Sequence, residues 1–313
     1  MKFGVHLPLI DFGDGSYAAE HLVEYVETAV GLGYEAVCAN DHLVFGAPWL
    51  DGLTALAAVV SCSGTARLMT TTANPVVRGP AALAKALTAL DAMSGGRVVA
   101  GVSPGSSQAD YTLAGVPFEE RWARFDEAVR STRALLDGTG FAGSHYRVDE
   151  SLAPRSARTG SPPLWIGSWG SDAGMRRVAR LADGWLASAY NIAPDEFATR
   201  WAALQGRVAT LARDPQSIGN GLATTWFHLD RPGDRHPADA VLTDRLAPVV
   251  HRPVEQLRQR LPFGGGAAAL DLVGSFRNAG VQWLLVWPVG DGAADDIEQL
   301  HRFHDEVMVP LRS

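Results

Sequence analysis

Two adjacent residues, Asp41 and His42, are the strongest acid–base candidates in this chain of 313 residues. They end an apolar run of strand length, and consecutive strand residues point to opposite sides. At the strand's end one of them can face a cavity while the other orients the loop. Histidine titrates near neutral pH and can hand over a proton there. The plainer alternative is that Asp41 caps a turn and His42 packs against Trp49. A second pattern, Gly167-Ser168-Trp169-Gly170-Ser171, follows an apolar run and leads into a helical one. Successive amides at a helix N-terminus attract anions, glycine lets the ligand approach the backbone, and serine adds donors. Its alternative is a simple helix cap by Ser171 or Asp172. Residues 101–107, which include Ser103 and Gly105, read the same way or as a tight strand-to-helix turn. His6 and His228 each stand alone in apolar strand context. Trp49, Trp169, Trp226 and Trp287 could wall a pocket, and each singly is explained as well by packing.

These residues need a scaffold that gathers strand ends. Strand-like apolar runs occupy residues 3–7, 35–39, 68–73, 98–102, 164–167, 184–188, 222–227 and 283–287. Amphipathic stretches of helix length separate them, at 18–32, 52–62, 81–93, 118–136, 172–181, 194–212, 254–279 (broken) and 294–307. Eight such alternations predict an α/β fold, the closed (β/α)₈ or TIM barrel, in one domain over 1–313. A doubly wound sheet lacks its GxGxxG turn here. Two segments exceed what a barrel needs, 138–163 with a short hairpin near 141–148, and 230–262; both are read as excursions from the barrel.

In this fold the loops after the strands build the site. The rim so predicted is rich in Trp, Gly, Ser and Thr and poor in charge. It has neither a magnesium-type carboxylate cluster nor the histidine set of a metal-dependent hydrolase, so no metal is expected. A flat aromatic cofactor suits it better, with apolar walls for a ring, hydroxyls for its edges and amides for a phosphate. The net charge of -7 offers no basic stripe for nucleic acid. No apolar run approaches the roughly 18 residues of a membrane span. Cys38 and Cys62 read as reduced buried thiols of a cytoplasmic protein.

Several ordered blocks carry a family likeness: FGVHLP at the start, GYEAVCANDHLVF (33–45), LAKALTALDAMSGGRVVAGVSPG (83–105), GVPFEERWARFDEAVRSTRALLDG (115–138), PPLWIGSWG (162–170), RRVARLADGW (176–185) and AGVQWLLVWP (279–288). Together they resemble the bacterial luciferase-like superfamily of flavin- and F420-dependent oxidoreductases. The resemblance implies the same barrel, with FMN or the deazaflavin F420 at the strand ends. It implies a cis peptide at Thr71–Thr72 behind the ring, with Asn74 beside it, and a phosphate on the loop Gly167, Ser168, Trp169, Gly170. Arg124 would assist in flavin-using members. In F420-using members His42 would lie near the reacting ring atom, with Asp41 behind it. His6, Trp49, Trp226 and Trp287 would border a small-molecule substrate.

The implied activity is hydride transfer with F420, or oxygen insertion with reduced FMN supplied by a separate reductase. A non-catalytic flavin-binding protein is the alternative, and pairing as a homodimer is common among relatives. The chain departs from the family pattern in four places. Arg78-Gly79-Pro80 stands where an RHP-type sequence is usual, and Ser103 replaces a glycine. Ser106 stands where sugar-phosphate dehydrogenases carry an acid, and Pro104 where luciferases carry arginine. The last two point away from a sugar phosphate and from strict FMN use.

Overall fold

The computed structural model describes residues 1–12, 18–157, 160–231 and 233–312. Its strands are β1 (Lys2–His6), β2 (Ala36–Ala39), β3 (Arg67–Thr70), β4 (Val98–Val102), β5 (Leu164–Gly167), β6 (Gly184–Ser188), β7 (Gly219–Leu229) and β8 (Trp283–Pro288). Each pairs in parallel with the next, and β8 closes on β1, so the sheet is a barrel. Every residue of β2 and β4 is buried. That is why these strands read as unbroken apolar runs: one face meets the lumen and the other meets helices.

The helices are α1 (Ala19–Gly31), α2 (Gly52–Ala58), α3 (Pro80–Met93), α4 (Gln108–Leu113), α5 (Arg121–Asp137), α6 (Asp172–Leu181), α7 (Pro194–Thr210), α8 (Gly266–Asn278) and α9 (Ala293–Phe303). Pro80 opens α3, where a missing amide costs nothing. Among the described residues no helix is long and apolar enough to cross a membrane.

Four features differ from the sequence expectation. The strand β3 ends at Thr70; the next peptide, Thr71–Thr72, is cis, and Ala73 makes only an isolated bridge to Val102. The strand β7 is longer than residues 222–227. The helix α4 was not expected, because Gly, Pro and Ser fill the segment leading into it. The 230–262 excursion is largely helical, with turns at Ala238–Ala240, Val241–Leu246, Ala247–Val250 and Val254–Arg260. Leu242, Leu246 and Leu257 anchor it with no exposure. The 138–163 excursion does hold a hairpin, Phe141–Ala142 against Arg147–Val148.

Two layers of core result. Most buried side chains lie between sheet and helices. A smaller cluster fills the lumen, with Met69, Val99, Trp165, Leu186 and Leu285 among its members. Trp165 is its largest member, and the neighbouring strands make room for it with glycine. A β-carbon on Gly184 would lie 2.3 Å from the Trp165 ring, and one on Gly219 would lie 2.6 Å from it. The floor beneath the site is therefore one indole wedged between bare backbones. Replacing Gly184 by valine should overpack this floor and cost about 1–3 kcal/mol, read as a lower urea midpoint. An unchanged midpoint would contradict the account of the floor.

Candidate active site

The C-terminal ends of β2, β3, β4 and β5 surround a cleft of about 440 Å³. His42 stands at its edge. The Nδ1–H of His42 donates to Asp110 Oδ2 at 2.8 Å. The other carboxylate oxygen, Asp110 Oδ1, accepts the amides of Leu43 and Val44 at 2.9 and 2.8 Å. Burial alone would raise the Asp110 carboxyl, but hydrogen bonds from His42, Val44 and Leu43 outweigh it and hold it below the usual range. Asp110 therefore stays ionised, fixes the imidazole tautomer and leaves Nε2 to hold or release a proton. The ring also packs against Phe45 and Trp49, at centroid distances of 4.7 and 4.9 Å.

Asp41 does not back His42. Its carboxylate takes Arg78 Nε at 2.7 Å and Nη2 at 2.6 Å, and the Asn74 amide at 3.2 Å. Arg78 also reaches Asp51, the cap of α2. Both residues lie in the loop just past β2, where the carboxylate turns toward the β3 loop and the imidazole toward the mouth. The Arg78 of the departing Arg-Gly-Pro sequence is thus the partner of Asp41. The residue behind His42 comes instead from α4. Sequence reasoning missed Asp110 because its helix was missed, and the helical spacing of Asp110 and Tyr111 against Ser107 was the available signal.

Thr71, Thr72, Asn74, Ser103 and Gly105 all line the cleft. The Thr71 hydroxyl donates to Asn40 Oδ1 at 3.1 Å, and the Thr72 and Ser103 hydroxyls bond each other. Asn74 gives its side chain to the scaffold: Nδ2 donates to the Pro104 carbonyl at 2.9 Å, and Oδ1 accepts the Val76 and Val77 amides. It holds the β3 loop onto the β4 loop.

The glycine–serine loop after β5 forms the other wall. Gly167, Ser168 and Trp169 line the cleft; Gly170 lies just behind, its φ of 87° in the left-handed region. Ser171 caps α6 by accepting the Gly174 amide at 3.2 Å. A β-carbon on Gly174 would fall 2.2 Å from Ser168 Oγ, so only glycine lets this loop sit so close to the helix. Trp185 pins the loop from below through Nε1–H to the Ser168 carbonyl at 2.9 Å. The result is a cradle of hydroxyls and amides at a helix N-terminus, chemistry that suits a phosphate. Arg124, expected to assist here, is not on the cleft and pairs with Glu120 at 2.6 Å. Arg121 and Arg177 line the cleft instead. Arg121 lies 3.9 Å over the Phe118 ring, and Arg177 is held by Asp126.

The expected substrate-side aromatics divide. Trp49 and Trp226 line a second cavity that adjoins the first. His6 and Trp287 lie below it, almost without exposure. His6 stacks on Trp287 at 4.4 Å and Trp287 on Trp226 at 3.9 Å. His228 joins Asp230 and Asp234, whose ligand atoms lie within 4.8 Å of one another. That cluster is already committed: His228 Nδ1–H donates to the Val289 carbonyl at 2.7 Å, and Arg302 pairs with Asp234.

Burial pushes the His6 pKa down to about 3. The folded chain thus keeps His6 neutral while an unfolded chain protonates it below about 6.5. The stability this contributes is complete above that pH and is lost as pH falls toward 3. Between pH 7.5 and 5.0 the wild type should lose about 2 kcal/mol from this source. His6→Phe should flatten that part of the profile in urea titrations at the two pH values. An equal slope in both proteins would contradict it.

Comparison with known proteins fits this geometry. Residues 1–234 match the family model of the luciferase-like monooxygenases. An F420-dependent hydroxymycolic acid dehydrogenase of Mycobacterium tuberculosis is 30% identical over 217 residues, which cover 65% of this chain and 58% of that one. An F420-dependent glucose-6-phosphate dehydrogenase of Amycolatopsis mediterranei is 28% identical over 183 residues, 54% of each chain. The matches thus span little more than half the length of these curated relatives. In fold, the monooxygenase RslO1 from Streptomyces bottropensis superposes with a TM-score of 0.85 at 19% identity, each chain covered in full. From the matched model, which takes in the barrel through β7 and both loops of the cleft, the chain belongs to the luciferase-like monooxygenase family.

Proposed function

We propose that this protein is an F420-dependent oxidoreductase that moves a hydride to or from an oxygen-bearing carbon of a small organic substrate. The observation that carries the reading is the His42–Asp110 pair at the junction of two cavities, one with a phosphate cradle and one walled by aromatics. Two further points support the deazaflavin over FMN. The similar curated proteins quoted above use F420. The arginine that would assist in flavin-using members turns to Glu120, away from the cleft.

When bound, F420 supplies a flat ring that accepts or returns a hydride. The chain does the rest. Ser168, Ser171 and the α6 N-terminus would hold the phosphate, with Arg177 beside them. Thr71, Thr72 and Ser103 would present polar edges to the ring. As a substrate alcohol loses its C–H electron pair as hydride, its O–H proton passes to His42; in the reverse direction His42 returns it. Asp110 steadies the imidazolium through Nδ1, as a carboxylate behind a histidine does. Trp49 and Trp226 keep bulk water from the reacting carbon.

The test uses a panel of small secondary alcohols, with F420 reduction followed by loss of its visible absorbance. With a substrate so found, His42→Gln should lower kcat by at least about a hundredfold, in the range for a lost proton-transfer group. Its F420 affinity should stay within a few-fold of wild type. Asp110→Asn should lower kcat less. Full activity in His42→Gln, or no F420 turnover with any member of the panel, would contradict the proposal.

A further inference from the structure

The second cavity has a volume of about 520 Å³ and shares Asn40, His42 and Trp169 with the first. Its size suits a molecule of one or two fused rings. Phe45, Trp49, Trp226, Val249 and Val250 give it apolar walls. Among the described residues no aspartate or glutamate lines it. One arginine does. Arg252 lies with its guanidinium carbon 5.5 Å from the Trp169 ring centroid and 5.8 Å from that of Tyr190. Among the described residues its guanidinium donates one hydrogen bond, to the neighbouring His251 carbonyl at 3.1 Å.

Among the described residues Arg252 has no ion pair. Arg177 of the first cleft differs in this respect, because Asp126 answers it. Local backbone fixes where Arg252 goes. The helical run of the 230–262 excursion stops at Val250, and His251 turns the chain with a φ of 51°. Pro253 then biases Arg252 to extended backbone. The break between two helical turns of the excursion thus delivers a cation to the cavity wall.

A guanidinium without a carboxylate partner on the wall of a partly apolar cavity keeps its donors free for an anion. Its faces are engaged by two aromatic rings, and the in-plane N–H donors remain. That fork matches a carboxylate in a bidentate pair. The apolar walls disfavour a polyol.

We infer that the second cavity takes a flat apolar substrate carrying one carboxylate or equivalent anion, and that Arg252 reads that anion. The inference rests on the reading above, in which the first cleft holds the cofactor and the reacting carbon lies at His42.

Calorimetric titration of the cofactor-free protein with 2-naphthoate and with neutral 2-naphthamide tests it. Wild type should bind the carboxylate at least tenfold more tightly than the amide. Arg252→Gln should remove the preference, and Arg252→Lys should keep part of it, with thermal midpoints near wild type. F420 affinity should be the same in wild type and Arg252→Gln. Equal binding of the two probes, no binding of 2-naphthoate, or an undiminished preference in Arg252→Gln would overturn the inference. So would a tenfold loss of F420 affinity in Arg252→Gln, which would assign Arg252 to the anionic tail of the cofactor. Failure of wild type to bind F420 alongside an intact, Arg252-dependent naphthoate preference would instead overturn the cofactor reading and leave the anion site standing.

Discussion

One carboxylate joins the loops on which the site depends. Asp110 reaches from α4 to His42 with one oxygen and to the Leu43 and Val44 amides with the other. Its neighbour Tyr111 donates to the Pro104 carbonyl at 2.5 Å, the same carbonyl that Asn74 binds from the β3 loop. Asp41 then ties Asn74 and Arg78 back to the β2 loop. The ends of β2, β3 and β4 are thus one hydrogen-bonded unit, in which charged acceptors make the stronger bonds. A histidine held this way has one free nitrogen and a settled orientation before any ligand arrives. That preorganisation is what a proton-transfer group requires.

Charge is arranged against the composition. The chain carries a net charge of -7, yet Arg121 and Arg177 line the inner cleft and Arg252 lines the outer cavity. Buried acids on the scaffold side, Asp41 and Asp110, are each answered by a cation or by several donors. A buried charge without such partners would cost several kcal/mol. The arginines of the inner cleft are held by carboxylates or rings, whereas Arg252 offers its donors to the outer cavity.

The barrel was legible because strands buried on both faces must be apolar throughout, and eight such runs alternated with amphipathic helices. Strands β4, β5 and β6 begin and end where the apolar runs do, since nothing else competes for those residues. The loop ends were harder. The helix α4 hides behind Gly, Pro and Ser, so Asp110 looked like one surface acid among many. Arg124 and Arg121 lie one helical turn apart, about 60° round the axis. Local sequence does not tell which faces the cleft; Glu120, one turn from Arg124, decided it. The aromatics were found as a set, but their division into buried stack and cavity wall depends on tertiary packing. His6 reads as a rim histidine until Trp287 is seen to cover it.

In the proposed reading the cleft between the β3 end and the β5 loop holds a deazaflavin. Side-by-side titration of the purified protein with oxidised F420 and oxidised FMN, each followed by quenching of cofactor fluorescence, tests it most directly. The account predicts saturable F420 binding and FMN binding weaker by at least about tenfold. FMN binding as tight as or tighter than F420, or no binding of either, would contradict it.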